Sequence, residues 1–295
     1  MPVIGERPEL DLNAVVYGTD LSVFSQNAGL YAAFLARHFA TALMVAHAFT
    51  LSQAAMEVEI DPSLVSQQRK DLEFLLSRKA IALSHGSLKA TPVLLEGDPK
   101  RVIPGLATAM APSLVVLGTH GAERLAREII GSVAEGILRS TSWPVLTVGP
   151  QVASAAGKRW LFQRILYATD LTPAAARAAI YAVSFAKAFR ADLDVLHVVQ
   201  REAIDHPDRL SEIRSRFYRE LDNLVPDQAK DFCNPRSFVE VDKAHRQILE
   251  HIQERSVGLL VLGIRKSSHL GIKTRTSGAF QLIVHATCPV LTIVG

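Results

Sequence analysis

The sequence predicts an α/β protein with two tandem doubly wound five-stranded parallel sheets, each in the strand order 3-2-1-4-5 and flanked by helices. Three observations support this fold class. Short apolar runs rich in β-branched residues alternate with longer segments of helical periodicity, as in βαβ units. The second half of the chain repeats the first half. A length of 295 residues suits two domains of about 150 residues each.

The repeat is read from three pairs of matching segments. NAVVYGTDLS matches RILYATDLT, and LMVAHAF around His47 matches LDVLHVV around His197, both at an offset of 150 residues. Residues 115–148 align without a gap with residues 260–293, at an offset that has dropped to 145. The second copy therefore lacks five residues in its middle.

The repeat also sets the predicted domain boundaries. One domain is expected at 1–150 and the other at 151–295, joined by a small-residue and polar linker at 151–159. The shortening of the second copy is placed most simply in its helix and loop between residues 201 and 236.

Each element of the first copy is predicted from its pattern. Five short apolar runs bounded by turn residues predict strands near 14–17, 43–48, 91–95, 114–117 and 145–148. Four segments between them predict helices near 25–40, 62–85, 100–110 and 132–139. Leu30 and Phe34 show the helical spacing in the first helix, and Pro62 opens the second. Right-handed crossovers then put the switch point of the sheet between strands one and four.

Composition excludes several classes of protein. A hydrophobic fraction of 48% with 21% charged residues is typical of a globular protein with a sizeable core. The net charge of +3 is small and the basic residues form no block, so no nucleic-acid partner is expected. No apolar run approaches the roughly 20 residues of a membrane span, and the first ten residues do not resemble a signal segment. We therefore expect no membrane partner and a cytoplasmic location.

Cysteine and charge distribution add two expectations. Cys233 and Cys288 are too few for a disulfide framework or a zinc site, so both are expected to be reduced, and no metal site is expected. Residues 1–150 carry 12 Lys and Arg against 14 Asp and Glu, whereas residues 151–295 carry 20 against 15. The second half is therefore the basic one.

The residues that could bind a ligand gather at the predicted switch point, where doubly wound sheets place their ligands. Asp20 follows the first strand and Gly118 ends the fourth. After a loop, Gly131 and Ser132 open a helix, whose start offers unpaired N–H groups and the positive end of the helix dipole. Glycines let the backbone approach phosphate oxygens without an intervening Cβ. The pattern predicts a site that holds phosphates.

The spacing Gly118, two residues, Gly121, nine residues, Gly131, Ser132 resembles the ATP-binding signature of the universal stress protein family, G-2x-G-9x-G-(S/T). YGTDLS and VAHAF are also similar to that family, and the resemblance covers nearly the whole chain as two copies. It implies ATP or a related adenine nucleotide as the ligand, with or without magnesium. By the same resemblance, Asp20 and the backbone near Ala48 contact adenine or ribose, Leu117 and Gly118 border the ribose, and the phosphates are held by Gly121, Gly131, Ser132 and Val133.

Several of these residues also have explanations that involve no ligand. Asp20 alone would be read as closing an Asx turn, and Ser132 is as good an N-cap as a phosphate donor. His120 and Arg124 in the loop are read as solvated residues that lie within reach of phosphates. His47, with its counterpart in the second copy, is assigned to packing between buried faces rather than to metal binding.

The second copy keeps Asp170 but loses two loop glycines. Lys266 and Thr276 stand opposite Gly121 and Gly131. A Cβ there obstructs phosphate approach, and a left-handed conformation would cost a non-glycine residue roughly 1–2 kcal/mol. We expect no nucleotide in this copy. Its basic loop either attracts an anion or is a solvated surface.

Three functions are weighed. The first is a tandem universal stress protein that binds ATP in its first domain and regulates a stress response without being an enzyme. The second is a non-catalytic scaffold whose degenerate second domain docks an unknown protein partner. The third, an ATP-consuming enzyme, is disfavoured because the chain lacks a Walker A sequence and the loop pairs no acid with a second acid or histidine.

Assembly is predicted from the last strand of each copy. PVLTVG and PVLTIVG are apolar and would lie at sheet edges, whose unpaired backbone groups invite pairing. In single-domain members of the resembled family this edge forms a dimer. Tandem copies would satisfy both edges within one chain as an intramolecular pseudo-dimer, and further homodimerisation is left open.

Overall fold

A computed structural model describes residues 10–50, 62–120, 130–158, 161–201, 209–264 and 278–295. These residues form two compact units, one built mainly from residues 11–150 and the other mainly from residues 157–295. We call them the first and second units and describe each by itself.

The first unit contains a five-stranded parallel sheet. Its strands are β1 (Ala14–Gly18), β2 (Ala42–Phe49), β3 (Ala90–Glu96), β4 (Ser113–Gly118) and β5 (Val145–Val148). They pair in the order β3-β2-β1-β4-β5, and every pair is parallel. The predicted fold class and strand order are confirmed.

Among the described residues of this unit, four helices lie between these strands. They are α1 (Gln26–His38), α2 (Pro62–Leu83), α3 (Pro99–Ala109) and α4 (Ser132–Ser140). The start of α3 shows why a helix begins there. Gly97 adopts a φ of +125°, the Asp98 carboxylate accepts a hydrogen bond from Lys100 N at 3.0 Å, and Pro99 occupies the first turn.

The second unit repeats this architecture. Its strands are β6 (Arg164–Ala168), β7 (Asp192–Val199), β8 (Pro235–Val241), β9 (Leu259–Ile264) and β10 (Val290–Val294), in the order β8-β7-β6-β9-β10. Its helices are α5 (Pro173–Phe189), α6 (Leu210–Asp222), α7 (Ala244–Glu254) and α8 (Gly278–His285). Helix α6 has 13 residues where α2 has 22, and a short 3-10 turn follows at Asp227–Asp231. The second copy is therefore shorter at its second helix.

The core of each unit lies on both faces of its central strands. All residues of β1 are buried, and Tyr17 and Tyr167 are among the largest fully buried side chains. Strands covered by helices on both faces bury side chains of either orientation, which explains their continuous apolar runs. Cys233 and Cys288 are buried free thiols, and burial raises their pKa to about 11 and about 12.

A buried carboxylate is the main polar feature in the core of the second unit. Asp194 on β7 has no exposed side-chain surface, and it accepts hydrogen bonds from Arg255 Nε at 2.6 Å and His251 Nε2 at 3.1 Å. Arg164 Nη1 lies 3.2 Å away. Burial by itself raises the pKa of Asp194, but the bonds from His251 and Arg255 and the charges of Arg255 and Arg164 outweigh it and lower the pKa below its ordinary value.

We predict that Asp194→Ala destabilises the second unit by about 3 kcal/mol, because it leaves the partly buried Arg164 and Arg255 and the buried His251 without their shared carboxylate. Since the pKa of Asp194 is lowered in the folded state, its contribution is present above the unfolded pKa and is lost as the pH falls through the folded pKa. Urea unfolding at pH 7 and in acid measures both effects. As a control, Asp227→Asn at a fully exposed ion pair should leave the transition unchanged. Equal sensitivity of the two variants would contradict the prediction.

Candidate functional site

A cavity of about 370 Å³ lies at the carboxyl edge of the first sheet, where β1 and β4 diverge towards their connections. This is the switch point of the strand order, and the volume is within the range of small-molecule sites. Its walls come from the ends of β1, β2 and β4 and from the first turns of α3 and α4. The lining residues are Gly18, Thr19, Asp20, Ser25, His47, Ala48, Pro99, Ile103, Leu117, Gly118, Thr119, His120, Gly131, Ser132, Val133 and Ala134.

The cavity brings together most of the residues singled out in the sequence. Those that line it are Asp20, Ala48, Leu117, Gly118, Gly131, Ser132 and Val133. Gly121 lies outside the described residues, as do Arg124 of the same loop and Lys266 and Thr276 of the second copy.

The wall at the end of β1 is held by side-chain hydrogen bonds. Buried Tyr17 donates its hydroxyl to Ser25 O at 2.6 Å, which ties the strand to the start of α1. The Thr19 and Ser25 hydroxyls are 2.9 Å apart, and Leu21 N donates to Thr19 Oγ1 at 3.0 Å. Leu21 has a φ of 64°, so these bonds hold a strained turn.

Asp20 sits in this turn with two roles. Its Oδ1 accepts from Ser22 N at 3.1 Å and from Ser22 Oγ at 2.7 Å, which is the Asx turn considered from the sequence. The side chain is exposed at the cavity and is accessible from solvent. The turn therefore positions the carboxylate that a ligand would meet.

Lys79 on α2 supports the same turn, a role that the sequence analysis did not predict. Its Nζ donates to Ser22 O at 3.3 Å and to Ser25 Oγ at 3.4 Å. Burial lowers the pKa of Lys79, while the nearby Asp20 charge opposes that shift. No local sequence pattern predicts a contact between residues 57 positions apart.

The start of α4 forms the opposite wall. Gly131, not Ser132, is the N-cap, so the interpretation of Ser132 as an N-cap is wrong. Gly131 N donates to Thr119 O at 2.8 Å. The N–H groups of Ser132, Val133 and Ala134 belong to the first turn, which has no preceding helical carbonyls to accept them. These N–H groups and the helix dipole favour an anion at this wall.

Two histidines also line the cavity, contrary to the simpler expectations for them. His47 is half-buried, and its Nδ1 lies 2.8 Å from Thr19 O, so it is a hydrogen-bonded wall residue rather than packing alone. His120 Nδ1 lies 2.8 Å from Thr119 Oγ1. His120 is therefore part of the wall rather than a solvated loop residue.

The equivalent edge of the second unit keeps the turn but changes its surroundings. Tyr167 donates to Ala175 O at 2.6 Å, and Thr172 N and Oγ1 bond the Asp170 carboxylate. His197 bonds Thr169 O as His47 bonds Thr19 O, but Phe217 packs against its ring at a centroid distance of 4.4 Å. The side of His197 that faces α6 is thus covered by an aromatic ring.

Metal sites and membrane spans gain no support from the described residues. Within those ranges, no group of three or more His, Cys, Asp and Glu side chains is arranged to hold a metal ion. None of the helices in the described part of the chain combines the length and the apolar character that crossing a bilayer requires.

Comparison with known proteins gives consistent results. A family model for the universal stress protein family matches residues 12–149 and again residues 161–293. Universal stress protein YxiE of Bacillus subtilis is 29% identical over 148 residues, covering 45% of this chain and 99% of that protein. Universal stress protein MJ0531 of Methanocaldococcus jannaschii is 31% identical over 137 residues, covering 45% of this chain and 80% of that protein.

Among solved structures, a universal stress protein from Archaeoglobus fulgidus has a TM-score of 0.73 at 20% identity. The match covers 97% of this chain and 99% of that one. At this identity the likeness shows a shared fold.

We predict that Gly118→Ala leaves the stability of the first unit within about 0.5 kcal/mol of the original, because the fold has room for the methyl group. An added Cβ would lie 3.4 Å from Ser25 Cα, an ordinary contact distance. At Gly258 an added Cβ would clash with the backbone oxygen of Leu161, so Gly258→Ala is the contrasting variant, with an expected loss of about 2 kcal/mol. Urea unfolding measures both. A large loss for Gly118→Ala would mean that the fold, not a ligand, requires this glycine.

Proposed function

Because the chain belongs to the universal stress protein family, we propose that its first unit binds ATP or a related adenine nucleotide and that this binding regulates a stress response. One observation carries the proposal. A single cavity at the switch point of the sheet joins the Asp20 turn, the glycine at the end of β4 and the first turn of α4. These parts match a ligand with a polar sugar in its middle and an anionic end.

The cavity wall offers complementary surfaces for the base and the sugar. In our proposal adenine lies beside Ala48 at the end of β2, with Pro99 and Ile103 of α3 supplying apolar contact. The ribose lies between Asp20, whose carboxylate accepts hydrogen bonds from the ribose hydroxyls, and the backbone at Leu117 and Gly118. The side-chain hydrogen bonds of the β1 turn hold Asp20 in place before the ligand arrives, which lowers the ordering cost of binding.

The phosphates would lie at the start of α4. Ser132 and Val133 present first-turn N–H groups, and Ser132 adds a hydroxyl. Gly131 contributes room rather than a donor, because its own N–H is bonded to Thr119 O. Magnesium, when it accompanies the nucleotide, would be held mainly by phosphate oxygens, since Asp20 is the one carboxylate among the described lining residues.

We propose binding without rapid hydrolysis. Attack by water on a phosphate needs a positioned base or a metal-activated water near the phosphates. Oδ1 of the one lining carboxylate already accepts two bonds from Ser22, and Asp20 lies at the β1 turn rather than at α4. The two lining histidines, His47 and His120, are each held to the wall by a hydrogen bond through Nδ1. The site is therefore suited to bind a nucleotide without hydrolysing it rapidly.

We predict that calorimetric titration of the full chain with ATP fits one site per chain. Gly131→Val should weaken binding by about 100-fold or more. The added Cβ would lie 3.2 Å from Thr119 O, and its two methyl groups would occupy the space through which the phosphates reach the start of α4. Two lost charge-assisted bonds of roughly 1.5–3 kcal/mol each account for that loss.

Gly105→Val is the matched control, since a Cβ there meets no atom within 4 Å and the residue lies on α3 away from the phosphates. It should bind ATP as the original does. Two equivalent sites would show that the second unit also binds nucleotide. Absence of binding by the original protein would favour the scaffold function instead.

Turnover provides a separate prediction. Phosphate release from ATP should be far slower than about 1 per second, the low end of ordinary enzyme rates. A coupled phosphate assay at saturating ATP and magnesium measures it, with Gly131→Val as the background. Release at ordinary rates that disappears in this variant would identify the protein as an enzyme.

A further inference from the structure

Large apolar side chains are exposed on one helix of the first unit. On α2, Leu64 is 63% exposed, Phe74 is 62% exposed and Ile81 is 72% exposed. Leu75, next to Phe74, is half exposed as well. Phe74, Leu75 and Ile81 fall within about two helical turns of one another. Exposed apolar side chains that cluster in this way mark interaction sites, whereas single exposed apolar residues need no explanation.

The exposed residues are not the ones that attach α2 to its unit. Leu76, Ala80 and Leu83 are buried and face the sheet. The outer residues recur every three or four positions, which places them on one stripe along the helix. We call this stripe the α2 outer face; it comprises Leu64, Gln67, Asp71, Phe74, Leu75, Arg78 and Ile81. Helix α2 therefore has one apolar stripe for its own core and a second stripe of mixed apolar, polar and charged residues that faces solvent.

The charges on the α2 outer face are arranged symmetrically. Asp71 and Arg78 lie at equal distances, about one helical turn, on either side of the point between Phe74 and Leu75. Asp71 accepts from Gln67 Nε2 at 2.9 Å and Arg78 lies 5.9 Å from the Phe74 ring, both at the exposed surface. An antiparallel second copy of the helix, crossing at that point, would bring each Asp71 beside the Arg78 of the other copy.

We propose that the α2 outer face is a homodimer interface, in which α2 of one chain packs antiparallel against α2 of a second copy. Such a two-fold contact uses the same patch on both chains and must be self-complementary, as the Asp71 and Arg78 arrangement is. Phe74 and Leu75 would form its desolvated centre, which is where aromatic residues contribute most to binding.

Charge argues against a lipid surface as the occupant. A helix that binds membranes has a polar face rich in Lys and Arg. The exposed charges of α2 have both signs, with Asp71 and Glu73 beside Arg69, Lys70 and Arg78. This mixture matches another copy of the same helix rather than an anionic surface.

The second unit does not offer the same surface. Helix α6 holds the place of α2 there, and among its described residues the exposed large hydrophobic side chain is Tyr218, at 39%. One self-associating helix per chain gives a closed dimer, whereas two such helices would allow open-ended oligomers.

Sedimentation equilibrium of the full chain tests the proposal without any nucleotide. We expect a species of twice the 32.2 kDa chain mass at micromolar concentrations. Phe74→Asp should weaken the dimer at least about 100-fold, as expected for a charge placed in the centre of an interface. Ile180→Asp, at a 38% exposed position on α5, is the matched control and should remain dimeric.

A charge exchange tests the pairing itself. Asp71→Arg and Arg78→Asp should each weaken the dimer by about 10-fold, because each puts like charges side by side. The double variant restores opposite charges and should return to within about 3-fold of the original affinity. A monomeric original protein at about 100 μM would overturn the proposal, as would a dimer that persists in Phe74→Asp or a double variant that is not rescued.

Discussion

The turn that follows the first strand of each unit is the constraint on which the rest of the site depends. Leu21 and Leu171 have φ values of 64° and 61°, a region that costs a residue with a side chain roughly 1–2 kcal/mol. The same hydrogen bonds offset this cost in both units. A threonine hydroxyl accepts a hydrogen bond from the backbone N–H of the strained leucine, and an aspartate carboxylate accepts one from the backbone N–H of the next residue. A buried tyrosine then fixes the start of the following helix. The direction of the Asp20 carboxylate and the position of Ser25 both follow from this turn.

The two units use this shared frame differently. In the first unit His47 faces an open cavity, whereas in the second Phe217 packs on His197. Asp194 occupies the strand position that Met44 holds in the first copy, and it forms ion pairs with Arg164 and Arg255. Part of the positive charge of the second half therefore neutralises a buried carboxylate.

Much of the fold was predictable because the strands are short apolar runs bounded by turn residues. The predicted strands begin and end within one or two residues of the observed ones, and α2 begins at Pro62 as expected. Contacts between distant residues were not predictable. Lys79 and Ser22 are 57 residues apart, and Asp194 and Arg255 are 61 apart, and periodicity carries no information about which distant side chains meet. The N-cap of α4 was misplaced by one residue because Gly131 and Ser132 are both favourable there.

The conformation of Gly131 bears directly on the asymmetry between the two copies. Its φ of −61° and ψ of 144° are open to any residue, so glycine is not required there by a left-handed backbone. What glycine provides is space at the start of α4, on the side where a ligand would approach. Thr276, which aligns with Gly131 in the second copy, lies outside the described residues, and what the sequence establishes is a larger side chain at that position. The expectation that the second copy binds no nucleotide therefore rests on the size of the side chain at this position and not on backbone strain at its counterpart Gly131.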